Sequence, residues 1–175
     1  MPQNPTPPLP IYIGGEVFRE LRQGNRYYID KTKFIEELLR PNQSFVSLIT
    51  RPRRFGKTLT MTTLQEFFDI RNDSKNLFEG LAISKNTNLC HKWMNKYTTL
   101  FITFKDVKRR NFELSCGEIA NVIQSIYNEH SYLQKSSHLD NDDKKILLKF
   151  KNESLSEIEL SSSLNVLCRL LAKHY

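Results

Sequence analysis

The chain has 175 residues, enough for one domain with a sizeable core, and 39% of them are hydrophobic. It has no apolar run long enough to span a membrane, no secretory signal, and only three widely spaced cysteines, so we expect a cytoplasmic protein with free thiols. Residues 1–60 hold ten Lys or Arg against five Asp or Glu, and four of these cations lie between Arg51 and Lys57. Such a local cluster predicts one anionic ligand and not a general polyanion-binding surface.

The first part of the chain predicts an extended lead-in, a helix and a strand. Most of the seven prolines lie in residues 1–10, which should be extended. Thr32 is a plausible N-cap for a helix whose apolar residues recur at helical spacing until Pro41. Residues 44–50 are rich in β-forming residues and are bounded by prolines, which predicts a strand.

The remaining pattern alternates helices with a second strand. After residues 56–58, apolar side chains recur along one side of a helix that should end near Asp69. Residues 98–104 predict the second strand. Further helices are predicted at 118–132, 142–150 and 156–175. A strand, a glycine turn and a helix, then another strand among helices, is the order of an α/β fold.

The segment from Arg51 to Thr58 matches half of a phosphate-binding loop. The consensus is G-x-x-x-x-G-K-[ST]; here Gly56-Lys57-Thr58 are present, whereas Arg51 replaces the first glycine and precedes a proline. The later backbone donors of such a loop lie nearest the phosphates, and they are the N–H groups of Phe55, Gly56, Lys57 and Thr58. Lys57 would contact the β- and γ-phosphates, Thr58 would bind Mg²⁺, and Arg53 and Arg54 would add phosphate contacts. The alternative is a basic surface turn that contacts nucleic acid or nothing.

The sequence resembles the bacterial AAA-ATPase-like family. Four segments carry the resemblance: residues 27–32 (YYIDKT), 50–58 (TRPRRFGKT), 64–69 (LQEFFD) and 103–108 (TFKDVK). The resemblance implies a P-loop NTPase domain, which in longer members often precedes a restriction-nuclease-like domain that could bring nucleic acid as a partner. The expected fold is therefore a partial three-layer α/β P-loop fold that is helix-rich and lacks the later sheet strands. Residues 1–10 would be the lead-in and 11–175 the N-terminal part of the domain.

The resemblance also implies a nucleotide ligand and names further site residues. ATP with Mg²⁺ would be the ligand, and Asp30 and Lys31 would lie near it; a helix cap with a solvated ion pair is an equal alternative for residues 30–32. Hydrolysis needs an acid after a second buried strand. Asp106 is a weak candidate, better explained as a turn residue. In similar proteins an acidic strand follows the last helix, and this chain ends where that strand is expected. Hydrolysis by this chain therefore stays open, and a nucleic-acid-binding module or an inactive fragment are the alternative functions.

Overall fold

A computed structural model describes residues 9–11, 13–41, 46–105, 107–108 and 110–175. The chain divides into two compact units, an N-terminal unit of Met1–Thr99 and a C-terminal unit of Leu100–Tyr175. The described residues form helices, turns and irregular segments but no β-strand. None of the described helices combines the length and the apolar composition that crossing a membrane would need.

The N-terminal unit is a set of short helices around one long helix. Its α-helices are α1 (Phe18–Gln23), α2 (Phe34–Leu38), α3 (Lys57–Phe68), α4 (Lys75–Phe78) and α5 (Thr87–Trp93), with a 3-10 turn at Ala82–Lys85. Aromatic rings join them, because Phe78 of α4 lies 4.8 Å from Phe18 of α1 and 5.4 Å from Phe67 of α3 between ring centroids. All three rings are fully buried, so this aromatic centre fixes α3 within the unit.

The C-terminal unit is a bundle of three long helices. They are α6 (Phe112–Glu129), α7 (Asn141–Asn152) and α8 (Glu157–His174), and a 3-10 turn at Ser131–Lys135 follows α6. The side chains of Asp140 and Ser156 cap α7 and α8, each by accepting a hydrogen bond from a backbone N–H of the first turn. In the core, Tyr127 stacks on Phe150 at 4.9 Å, and its hydroxyl donates to the carbonyl of Ser163 at 2.7 Å.

The sequence predicted most of these helices well, but the start of α6 and the cap of α2 differ from the prediction. The predicted helices at 142–150 and 156–175 match α7 and α8, and the helix expected to end near Asp69 matches α3. The helix predicted at 118–132 begins earlier, at Phe112, because the side chain of Asn111 caps it. The capping role predicted for Thr32 is wrong, since α2 starts at Phe34 after Lys33 and has no side-chain cap.

Neither predicted strand forms in the described residues. Residues 46–50 and 98–104 have no strand structure, and residues 44–45 lie outside the described part of the chain, as does the lead-in up to residue 8. Within the described residues there is one isolated parallel bridge, between Asp69 and Tyr97, at the end of α3. A strand needs a neighbour that satisfies its backbone groups, and local β-propensity does not supply one. Val46 and Leu48 are accordingly 79% and 86% exposed. The α/β prediction is thus confirmed only in its helix-rich part.

Candidate functional site

Residues 51–56 form a mainly exposed turn that leads directly into α3, whose first two residues are Lys57 and Thr58. Gly56 is the residue before the helix and has a left-handed conformation, with φ of 75°. Its carbonyl accepts the first helical hydrogen bond, from the N–H of Thr60 at 2.8 Å. A Cβ at this position would meet no atom within 4 Å, so the positive φ, and not crowding, favours glycine here. Arg54 also has a positive φ, 67°, which few residues without glycine's freedom adopt.

The ammonium of Lys57 turns back onto the loop. Its Nζ donates to the backbone carbonyls of Arg51 at 2.5 Å and Pro52 at 3.1 Å. Arg51 replaces the first glycine of the usual consensus, and Pro52 follows it. Lys57 therefore closes the loop over its own backbone and holds a positive charge beside the helix start.

The other predicted phosphate contacts surround the start of α3 and are exposed. Arg53, Arg54 and Phe55 lie on the surface before Gly56, and Thr58 is exposed in the first helical turn. The first N–H groups of a helix have no acceptor within the helix, and the helix dipole makes this end positive. Together with the basic side chains, the start of α3 has the donors and the charge that phosphate oxygens require.

Two long-range contacts hold the body of α3. The hydroxyl of Thr62 accepts a hydrogen bond from the N–H of Phe18 at 3.1 Å, and donates to the carbonyl of Glu16 at 3.0 Å. One turn later, Glu66 receives a bidentate pair from the guanidinium of Arg19, with N–O distances of 2.8 and 2.6 Å. The hydrogen bonds to Glu66 raise the pKa of Arg19. The segment before α1 and α1 itself therefore anchor the helix behind its exposed first turn.

A polar network at the far end of α3 was missed by sequence reasoning. The second Glu66 oxygen also accepts from the buried hydroxyl of Ser74 at 2.9 Å and from the side chain of Asn72 at 3.2 Å. The side-chain amide of Asn95 donates to the carbonyls of Glu66 and Asp69, at 3.1 and 2.8 Å. The one hint in the sequence was an acid, Glu66, in an otherwise largely apolar helix end.

Asp69 completes this network. Its carboxylate is buried and is bonded by the guanidinium of Arg71 at 2.5 Å and by the hydroxyl of Thr99 at 2.9 Å. Burial alone would raise the pKa of Asp69, but the hydrogen bonds from Arg71 and Thr99 outweigh it and lower the pKa. The carboxylate thus stays charged and fixes the segment after α5 against the end of α3.

The contacts of Asp30 and Thr32 are with the 3-10 turn at Ala82–Lys85. Asp30 accepts hydrogen bonds from the N–H of Ala82 at 2.6 Å and from the backbone and hydroxyl of Thr32 at 2.8 and 2.7 Å. Burial opposes ionisation of Asp30, yet these hydrogen bonds lower its pKa. Thr32 is fully buried and accepts from the N–H of Ile83 at 3.2 Å, whereas Lys31 is exposed. These contacts give Asp30 a structural role, and proximity of Asp30 and Lys31 to a nucleotide remains a prediction.

For Mg²⁺, the described residues offer one predicted ligand. The hydroxyl of Thr58 lies in the exposed first turn of α3 and fits a metal that is held mainly by phosphate and water oxygens. No group of three His, Cys, Asp or Glu side chains in the described residues could hold a metal ion. Asp106, the acid considered from the sequence, lies outside the described part of the chain.

Comparison with known proteins places the chain in a family. The family described as Predicted AAA-ATPase matches residues 12–174, almost the whole chain. The chain belongs to the AAA-ATPase-like family. This AAA-ATPase-like chain is also similar to an uncharacterised protein in the vnfD 5' region of Azotobacter chroococcum mcd 1, with 32% identity over 112 residues. That match covers 63% of the chain and 20% of the relative, so the chain aligns with about a fifth of the relative's length. No solved structure matches it.

Proposed function

We propose that this AAA-ATPase-like chain binds ATP, with Mg²⁺, at the loop of residues 51–58. The observation that carries the proposal is the exposed start of α3, where a left-handed Gly56 precedes helical N–H donors and Lys57 holds its ammonium against the loop. Family membership supports a nucleotide as the anion. In this arrangement Lys57 would move from the loop carbonyls to the phosphates, Thr58 would bind Mg²⁺, and Arg53 and Arg54 would neutralise further phosphate charge.

The complete family domain would be a three-layer P-loop fold that hydrolyses ATP. Residues 46–50 would then be the P-loop strand, paired with strands that the described residues do not contain. Turnover requires an acid that holds Mg²⁺ and a group that orients the attacking water. Neither role is assigned to a residue here, so the proposal for this chain is binding.

Calorimetric titration of the full chain with Mg-ATP tests this function. We expect saturable binding by the wild type and loss of binding in Lys57→Ala, because the variant lacks the ammonium that faces the phosphates. Lys145→Ala is the matched control, since Lys145 is an exposed lysine of α7 paired with Asp142. Equal ATP affinity in wild type and Lys57→Ala would refute the proposal, and absence of binding by the wild type would favour an inactive fragment.

A second candidate function is binding of nucleic-acid phosphates by the same loop. Arg51, Arg53 and Arg54 are all exposed, so they can reach a polyanion without any change of the fold. The two functions differ in their dependence on Lys57. Lys57→Ala should abolish ATP binding but weaken DNA binding only slightly, whereas Arg53→Ala with Arg54→Ala should weaken DNA binding strongly.

A further inference from the structure

The N-terminal unit contains a cleft of about 570 Å³ that no part of the proposed ATP site uses. One wall is α4 with the turn before it, and the other is α5 with the residues on either side of it. Its volume lies in the range of small-molecule sites, which are usually apolar clefts with a few polar groups.

The inner part of the cleft is apolar. Phe78 is fully buried, and Cys90 and Met94 are half-buried, so these three lining residues lie below the surface. Burial, with the nearby charge of Glu36, raises the pKa of Cys90, and its thiol donates to the carbonyl of Ile83. Cys90 therefore presents neutral, weakly polar surface. A thioether such as Met94 adapts readily to the shape of an apolar ligand.

The mouth of the cleft is mainly cationic. Lys75, His91 and Lys96 line the cleft and are exposed, and Asp73 is the one acidic residue of the lining. The two lysines carry more positive charge than the single carboxylate of Asp73 carries negative charge. This charge complements an anionic head group, whereas the apolar interior complements an uncharged body.

Hydrogen bonds of Asn95 join the two walls of the cleft. The side chain of Asn95 donates to two carbonyls at the end of α3, and its oxygen accepts from the N–H of Ser74 at 3.1 Å. Asn95 thereby joins the segment that carries Met94 and Lys96 to the turn before α4, which lies between Asp73 and Lys75. Such preorganisation lowers the entropic cost of binding.

We propose that this cleft binds a small organic anion with an apolar body, such as a medium-chain carboxylate. The chain would lie against Cys90 and Met94, and the carboxylate would contact Lys75 and Lys96. Neither part alone would suffice, because a bare carboxylate gains nothing from the interior and a neutral chain gains nothing from the lysines.

Methionine-methyl NMR of the full chain tests the site with octanoate as the probe. Of the three methionines, Met94 lines the cleft, whereas Met61 lies on α3 and is not among the lining residues. We expect a saturable shift of the Met94 methyl with a Kd below about 1 mM, and no shift of Met61. The fluorescence of Trp93, the single tryptophan and the neighbour of Met94, provides a second readout.

The control ligands and variants separate a specific site from apolar adsorption. Acetate has the charge alone and 1-octanol has the chain alone, so both should bind at least about tenfold more weakly than octanoate. The variant Lys75→Gln with Lys96→Gln should lose about tenfold in octanoate affinity, and Lys144→Gln with Lys145→Gln on α7 should lose none. No saturable Met94 shift, equal binding of octanol, or unchanged affinity in the cleft variant would each overturn the proposal.

Discussion

Replacing Glu66 by alanine should destabilise the N-terminal unit, because its carboxylate accepts hydrogen bonds from the side chains of Arg19, Asn72 and Ser74. The ion pair with Arg19 is geometrically good, but the Arg19 side chain is 34% exposed, so screening limits its contribution to about 1 kcal/mol. Ser74 is fully buried, and a hydroxyl left there without its acceptor costs about 1–3 kcal/mol. The bond from Asn72 is long, at 3.2 Å, and adds little. The expected loss is therefore about 2–4 kcal/mol.

Urea unfolding followed by the fluorescence of Trp93 measures this loss. Trp93 is the single tryptophan, packs against the N-terminal core and stacks on Tyr97, so its signal reports the N-terminal unit. With a typical slope for a small unit, the unfolding midpoint should fall by about 1–2 M urea. The variant Glu66→Gln keeps one acceptor oxygen, so its unfolding midpoint should fall by about half as much. Glu79→Ala is the control, since the exposed Glu79 contributes its backbone carbonyl, and not its side chain, to the bond with Arg22.

A double-mutant cycle decides whether the Arg19–Glu66 pair itself contributes. The coupling free energy between Arg19→Ala and Glu66→Ala should be about 1 kcal/mol. A Glu66→Ala midpoint that matches the Glu79→Ala control would refute the reasoning, because the network would then contribute nothing to the anchoring of α3.

Two further predictions concern glycine conformation and pH. Gly56→Ala should lower the unfolding free energy of the N-terminal unit by about 1–2 kcal/mol, because alanine is strained at a left-handed φ. Gly117→Ala within α6 should raise the unfolding free energy by about 0.5–1 kcal/mol, because alanine favours a helix more than glycine does. Changes of the same sign for the two variants in chemical unfolding would contradict this. Hydrogen bonds from Lys149 and then Ser156 lower the pKa of Glu159 to about 2 from the usual 4.5. The stabilisation is therefore complete above about pH 4.5 and lost as the pH falls towards 2. The melting temperatures of wild type and Glu159→Gln should converge over that range, and a constant gap would contradict the assignment.

The sequence predicted the helices whose pattern depends on residues close together in the chain. Helix α3 follows from apolar spacing between Leu59 and Phe68, and α7 from acids at its start and lysines at its end. The first turns of α6 were missed because their apolar residues, Phe112 and Leu114, are two residues apart and so do not recur at helical spacing. Only the capping side chain of Asn111 shows the start, through its bond from the N–H of Leu114.

What depends on distant partners could not be predicted. The strand predictions rested on β-propensity, and a strand forms only with a partner that the local pattern does not specify. The same limit applies to the candidate site. Gly56, Lys57 and Thr58 are adjacent in sequence and were predicted as phosphate contacts, whereas the partners of Glu66 lie as far away as Arg19 and Ser74. The role of Asp30 was also hidden, since its backbone partner is Ala82.

The position of Lys57 changes what its substitution measures. In the described conformation its ammonium is already bonded to the carbonyls of Arg51 and Pro52. On the proposed function, ATP must replace both bonds, so the measured affinity is the phosphate interaction minus their loss. Arg51 stands where the usual consensus has its first glycine, and its carbonyl and that of Pro52 accept the hydrogen bonds from Lys57. These two hydrogen bonds hold the charge of Lys57 close to the start of α3. Because ATP must break them, they lower the ATP affinity that Lys57 contributes.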